Sequence, residues 1–349
     1  MTAWGKLKVN LWRVLAGACL ALLSGGVAMA QDHGQASIFI YHRFGETKYP
    51  TTSVSIAQLE AHIAELTSGR YQVMPLDAII DALAAGRPLP EHAVALSIDD
   101  GFASTYTQAW PRLRAAGLPF TLFITTDSID EKSSNNLSWD QIREMLAGGG
   151  VTIGHHSAAH PHMPQANEAA NSADIARASV RFKTELGMQP TLFAYPYGEY
   201  TRRDRNQIAA LGFRAAFGQH SGVVHGGADR FALPRFAMNV HYGNKERFEL
   251  LANALPLPVL DITPEDPLLG PDNNPPAFGF TVQSMVTGLD RLLCYASTQD
   301  APVPVQRLGD NRIEVRMPAP FPRGRGRINC TLPDSSGRWR WLGQAFVIP

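Results

Sequence analysis

The sequence predicts an α/β fold: a closed or nearly closed (β/α) barrel of about seven units, followed by a small all-β, sandwich-like domain. Three observations carry this. Short apolar segments alternate with amphipathic ones from residue 37 to about 255, and such alternation means parallel strands joined by crossover helices. No Gly-x-Gly-x-x-Gly follows the first apolar segment, which removes the usual dinucleotide argument for an open sheet. Beyond residue 276, short segments separated by turn residues take over, the pattern of a small sandwich.

Ser37 to His42 reads as the first strand. Ser55 with Gln58 is a capping box opening a helix whose Ile56, Leu59, Ile63 and Leu66 share one face. Tyr71 to Leu76 is a short strand, and Leu76 to Ala85 a helix stopped by Gly86. Ala93 to Ile98 is a buried strand ending at Asp99-Asp100-Gly101. Tyr106 to Ala116 is a helix and Phe120 to Thr125 a strand. Ser138 with Gln141 is a second capping box. Val151 to Gly154 is a strand running into four histidines, His155, His156, His160 and His162. Asn171 to Leu186 is a helix capped by Gly187. Leu192 to Tyr195 is a strand leading to Pro196-Tyr197-Gly198, then come a helix (203–211), a strand (213–217) and a closing helix (248–255).

Residues 1–30 read as a signal peptide. Lys6, Lys8 and Arg13 precede an apolar run, and Ala28-Met29-Ala30 fits the cleavage site. The alternative is an uncleaved anchor, although the apolar run is short for a span of ~20 residues. The expectation is therefore an exported, periplasmic or secreted protein with no transmembrane span after cleavage. Residues 31–255 form the barrel and the Pro- and Asp-rich 256–276 a linker. Residues 277–349 form the β domain, with strands at 278–286, 292–296, 312–317, 327–332 and 339–347. Cys294 and Cys330 each fall within a strand, as a disulfide stapling the two sheets or as two buried thiols. The 31 basic and 31 acidic side chains balance, which gives no reason to expect nucleic acid as partner.

Chemistry in such barrels sits at the C-terminal ends of the strands. His42, Asp99-Asp100, His155-His156 and Tyr195-Pro196-Tyr197 all fall there. Adjacent carboxylates at a strand end are costly unless a cation or proton is shared between them. His156 and His160, four apart, can offer two nitrogens from one tight loop. With one carboxylate of the Asp99-Asp100 pair they make an Asp-His-His set. Three protein ligands and an open position is the catalytic zinc arrangement, and the other Asp would be the general base. The plainer reading is a solvated turn and a polar loop.

Ser-Ile-Asp-Asp-Gly-Phe, His-Ser-Ala-Ala-His-Pro and Phe-Ala-Tyr-Pro-Tyr-Gly together resemble the first three motifs of the NodB-like polysaccharide deacetylases, carbohydrate esterase family four. The resemblance covers roughly residues 36 to 255. It implies a distorted (β/α)7 barrel, a divalent metal (zinc first, then cobalt, nickel or manganese) and removal of N- or O-acetyl groups from an acetylated polysaccharide. N-acetylglucosamine units are the first expectation. It also implies Asp99 as base, Asp100, His156 and His160 as metal ligands, and the Tyr197 backbone N–H as oxyanion donor. His42, Tyr195 and Pro196 are expected to line the substrate site.

Two departures stand out. Many relatives carry an orienting Arg where this chain has Ala194, and Arg235 is the substitute candidate. The family's late general-acid histidine has no match in context; His220, His225 and His241 are the only histidines after the Tyr-Pro-Tyr-Gly segment. In this the chain resembles the biofilm-type deacetylases. The alternatives are a weak or inactive polysaccharide-binding protein of the envelope, and an assembly subunit docking through the β domain. Trp339, Trp341 and Phe346 there could form a sugar-stacking platform or half of a core.

Overall fold

A computed structural model describes residues 1–2 and 34–349. The leader expected over residues 1–30 lies outside the described residues, apart from the first two. No described helix is long and apolar enough to cross a membrane.

The first strand, Gln35–Tyr41, is buried along nearly its whole length. It pairs in parallel with Ala93–Asp100, from Ala36 opposite Ala93 to Tyr41 opposite Ile98. Parallel pairing continues through Phe120–Ile124, Val151–His155, Leu192–Ala194 and Ala215–Phe217. On its other side the first strand takes Phe236–Ala237 in parallel, while Leu233 bridges to Phe217. Residues 233–237 therefore link the last strand back to the first. The result is the curled, distorted barrel that the alternating pattern demands. These strands carry apolar residues at successive positions because helices cover their outer faces.

The helices start where side chains can satisfy free N–H groups. Complete capping boxes open Ile56–Leu66, Trp139–Ala147 and Arg202–Ala210, the last built on Thr201 and Asp204. Gly187, at φ 70°, closes Glu168–Leu186. The helix expected over 106–116 is instead a π-turn, Thr105–Ala109, followed by Trp110–Ala115. Pro111 lacks the N–H that would continue the i→i−4 ladder.

Residues 255–349 build two four-stranded sheets. Leu255–Pro256, Trp339–Ile348, Gly324–Pro333 and Leu293–Ala296 make one. Val259–Thr263, Phe278–Val282, Arg312–Val315 and Val305–Leu308 make the other. Their facing sides bury Phe278, Phe280, Ile313, Ile328 and Phe346. The stretch 256–276 thus supplies a strand, Val259–Thr263, to the sandwich. Its flanking prolines read as a linker because Pro is confined to edges and strand ends. Strand Val305–Leu308 also escapes the sequence reading; its four residues are half-buried or exposed, so no alternation marks it.

The sandwich joins the barrel closely. The Trp341 ring meets Phe236 edge-on at 5.5 Å, and Arg338 Nε donates to the Asn253 carbonyl at 2.6 Å. Trp341 and the fully buried Phe346 are therefore packing residues, not a sugar platform. Cys294 and Cys330 form a disulfide. They stand directly opposite one another on neighbouring strands of one sheet, so the bridge ties strand to strand rather than sheet to sheet.

Two outcomes follow for stability. Replacing both cysteines with Ala should lower the unfolding free energy by about 2–4 kcal/mol in urea titrations, since the bond closes a long loop in the unfolded chain. The second concerns His62, which is buried between helices. Tyr41 Oη lies 3.0 Å from its Nδ1 and the Gly243 carbonyl 2.8 Å from its Nε2. Burial lowers its pKa from 6.5 to about 4, against the opposing pull of the Gly243 carbonyl. The unfolded chain then binds the extra proton between those values. The stabilisation is complete above about pH 6.5 and is lost as pH falls toward 4. Urea midpoints should drop across that window, and drop less in His62→Gln.

Candidate metal and catalytic site

The site begins at the end of strand Ala93–Asp100. Successive side chains of a strand point to opposite faces, so Ser97 and Asp99 share one, and Arg235 meets both. Its Nη1 donates to Ser97 Oγ at 3.1 Å and to Asp99 Oδ1 at 2.8 Å, and its Nη2 to Asp99 Oδ2 at 2.8 Å. Its Nε donates to the Gly218 carbonyl at 3.0 Å. Both side chains are fully buried. Arg235 comes from the segment that closes the barrel, which brings a residue 136 positions away onto the first Asp.

Asp100 leaves the pleat. Its φ of 74°, followed by Gly101 at 86°, turns its carboxylate toward the loop after strand Val151–His155. Asp100 Oδ1 lies 3.3 Å from His156 Nε2 and 3.5 Å from His160 Nε2. Asp100, His156 and His160 form the one described group of His, Cys, Asp or Glu whose ligand atoms all lie within 4.8 Å of one another. His156 Nδ1 lies 2.7 Å from the Ala194 carbonyl. A proton on Nδ1 leaves the Nε2 lone pair facing Asp100. Asp99 Oδ2 is 3.9 Å from the same Nε2.

Asp100 Oδ1 and His156 Nε2 are buried and lack hydrogen-bond partners. Buried polar atoms are nearly always satisfied, so these two call for an occupant. The protonation states of Asp100 and His160 suit a cation. Burial alone would raise the Asp100 pKa, but the His156 imidazole beside it, with the neighbouring imidazoles, holds it well below the usual carboxylate range. Burial and the neighbouring His156 lower His160 to about 4, leaving it neutral. Burial also opposes protonation of His156, yet Asp100, Asp99 and the Ala194 carbonyl raise its pKa overall. One carboxylate and two imidazoles at these separations fit a zinc-type divalent ion.

The loop is built to hold this set. Asp174 accepts from the backbone N–H groups of Ala158 and Ala159 at 2.8 and 3.1 Å. His155 is no ligand: it is buried against Phe182 and Phe193 and accepts from the Ser157 N–H at 3.1 Å. His162 lies flat on Tyr197, 3.9 Å between ring centroids, with Nδ1 2.7 Å from Glu199 Oε2. Tyr197 in turn meets His160 edge-on at 4.3 Å. Asp100, Ser157, His160 and Tyr197 all have positive φ (74°, 66°, 54° and 59°). Each such residue costs about 1–3 kcal/mol and persists only where its surroundings over-determine it.

The structure thus brings together Asp99, Asp100, His156, His160, Tyr197 and Arg235. His42 is half-buried at the end of the first strand, near enough to Asp100 and His160 to influence both electrostatically. Tyr195 and Pro196 do not line an open site. Tyr195 is fully buried with its Oη donating to the Phe231 carbonyl at 2.9 Å, and Pro196 is buried beside it. The strand's alternation sends Tyr195 into the layer of Phe193 and Tyr200. The late histidines lie elsewhere. His225 pairs with Gln35 at the opposite end of the first strand, His220 is buried against Tyr200, and His241 is exposed. Glu199, Asp174 and Arg325, which buttress the site, carry no motif that singles them out.

Residues 86–216 match the family model described as polysaccharide deacetylase. Over that stretch the chain is similar to polysaccharide deacetylases. It is 25% identical over 199 residues to YxkH of Bacillus subtilis, covering 57% of this chain and 69% of that one. It is 24% identical over 213 residues to the poly-β-1,6-N-acetyl-D-glucosamine N-deacetylase of Escherichia coli K12, covering 50% of this chain and 32% of that protein. The chain thus spans about a third of the E. coli relative. Its fold is similar to that of IcaB from Ammonifex degensii, with a TM-score of 0.57 at 24% identity over 63% of this chain and 97% of that one.

The buried Asp99–Arg235 pair has a measurable signature. Arg235→Leu strands an unpaired carboxylate and should cost about 3–5 kcal/mol in urea unfolding at pH 7. Adding Asp99→Leu should restore most of that loss, because the two apolar residues remove both charges together.

Proposed function

We propose that the protein is an exported, metal-dependent deacetylase acting on an acetylated polysaccharide, with the N-acetyl groups of N-acetylglucosamine units as its first substrate class. One observation supports this most: unpartnered ligand atoms of Asp100 and His156 converge with His160 beside an Asp99 locked by Arg235. The E. coli relative's name supplies the poly-β-1,6-linked substrate as the leading candidate.

In this reading Asp100, His156 and His160 hold the divalent cation, zinc first. Such an ion lowers the pKa of a water to about 7 and polarises a carbonyl. Asp99 takes the proton of the attacking water. Arg235 occupies one lone pair on each of its oxygens and fixes the orientation of the remainder. The Tyr197 N–H donates to the oxyanion that forms as water adds to the acetyl carbon. Such a donor is worth roughly 3–4 kcal/mol. His42 walls the acetyl pocket from the first strand. The C–N bond then breaks, the proton passes to the amine and acetate leaves.

A second reading, a polysaccharide-binding protein with little turnover, draws on the placement of His220, His225 and His241 away from the cluster. Acetate release separates the two. Mature zinc-loaded protein should release acetate from β-1,6-linked N-acetylglucosamine oligomers faster than from β-1,4-linked ones. Asp99→Asn should lower kcat about 10²–10⁴-fold, and His156→Ala should lose stoichiometric zinc. Full zinc occupancy with no acetate from any oligomer would overturn the enzyme reading in favour of binding.

A further inference from the structure

Strand Gly324–Pro333 belongs to the sandwich, yet one of its side chains reaches the catalytic face of the barrel. Along this strand Gly326, Ile328, Cys330 and Leu332 are buried, while Arg325 lies on the opposite face. Arg325 Nη1 donates to the Tyr197 carbonyl at 2.9 Å. Its Nε lies 3.6 Å from Glu199 Oε1. The other Glu199 oxygen is 2.7 Å from His162, whose ring is stacked on Tyr197, whose ring in turn meets His160. An unbroken run of contacts therefore joins the sandwich to the metal cluster.

Tyr197 has φ 59° and ψ 2°, a conformation a bulky residue keeps only under constraint. Two constraints are visible. Gly198 follows at φ 70°, where a Cβ would lie 2.5 Å from the Gln219 backbone nitrogen, so the turn is pressed against the loop after the last strand. The Arg325 hydrogen bond holds the carbonyl on the other side. The Arg325–Glu199 ion pair is long, and Arg325 is 40% exposed, so the pair itself contributes little. The bond to the carbonyl is what fixes the turn.

We infer that Arg325 is a positioning residue of the active site. It holds the Tyr197 turn in its left-handed conformation and, with Glu199 and His162, sets the Tyr197 ring against His160, so the sandwich completes the catalytic face of the barrel. The inference rests on the reading of the Tyr197 N–H as oxyanion donor. Relaxing Tyr197 to negative φ would swing that N–H away from the acetyl group without touching a metal ligand.

The test is steady-state acetate release by the full zinc-loaded chain. Arg325→Met should lower kcat about 10–100-fold, the scale of a misplaced donor. KM for the oligomer should stay within about two- to three-fold and zinc should stay stoichiometric. Arg325→Lys, which keeps a donor, should recover part of the loss. Arg316→Met, at an exposed position of the sandwich, should match wild type. An unchanged kcat in Arg325→Met overturns the inference, as does a loss that tracks loss of zinc. Hydrogen exchange over residues 192–201 gives a readout independent of turnover. Faster exchange in Arg325→Met supports the inference and unchanged exchange overturns it, even if wild type releases no acetate and the deacetylase reading itself falls.

Discussion

A carboxylate withdrawn wholly from water stays ionised only beside a countercharge, and everything else in this site depends on how that condition is met for Asp99. The guanidinium of Arg235 meets it, with two parallel bonds to the carboxylate and two further donors on Ser97 and the Gly218 carbonyl. Arg235 stands between Leu233, which bridges to the last strand, and Phe236, which pairs with the first. Closing the barrel and pairing Asp99 with Arg235 are one event. A barrel left open at residues 233–237 would leave Asp99 without its partner, so fold and site are selected together.

The second constraint is geometric. Strands deliver side chains alternately to two faces, but the cluster needs Asp99 and its immediate neighbour to work side by side. The left-handed turn at Asp100 resolves the conflict, at the cost of a conformation that Asp tolerates better than most residues. The same device recurs at Ser157, His160 and Tyr197. Contacts from outside support both loops: Asp174 accepts from Ala158 and Ala159 in the histidine loop, and Arg325 lies behind Tyr197. Rigidity at the cluster is thus imported from helices and from the sandwich, so that little reorganisation is left for the reaction.

The legibility of the sequence follows from these physics. The parallel strands were readable because burial on both faces leaves continuous apolar runs, and two of the helix starts because a capping box is local. The residues that converge on the cluster were readable because each lies at a strand end. Arg235 was reachable only by asking which cation could replace the one missing at Ala194. Tyr195 and Pro196 were misplaced because a motif says which residues recur together but not which face each occupies; the pleat puts Tyr195 in the core. Val259–Thr263 was hidden by its prolines. Arg325 left no signal at all, because its contact spans 128 positions and joins two different layers.

The electrostatic balance finally bears on what the site can accept. Arg235 neutralises Asp99, and in the proposed reading a divalent cation overcompensates Asp100. Beyond these the immediate surroundings are Tyr197, the His42 imidazole and the His162–Glu199 pair, which together bring no strong field of one sign. The chain as a whole is equally balanced, with 31 basic and 31 acidic side chains. A zero net charge gives no overall field to steer a polyanion. In the proposed reading a neutral acetamido group on an uncharged glycan would enter such a site without desolvating a countercharge, and charge would separate only as water adds. That charge would develop between Asp100, His156 and His160 on one side and the Tyr197 peptide on the other, where the left-handed residues and their outside support are concentrated.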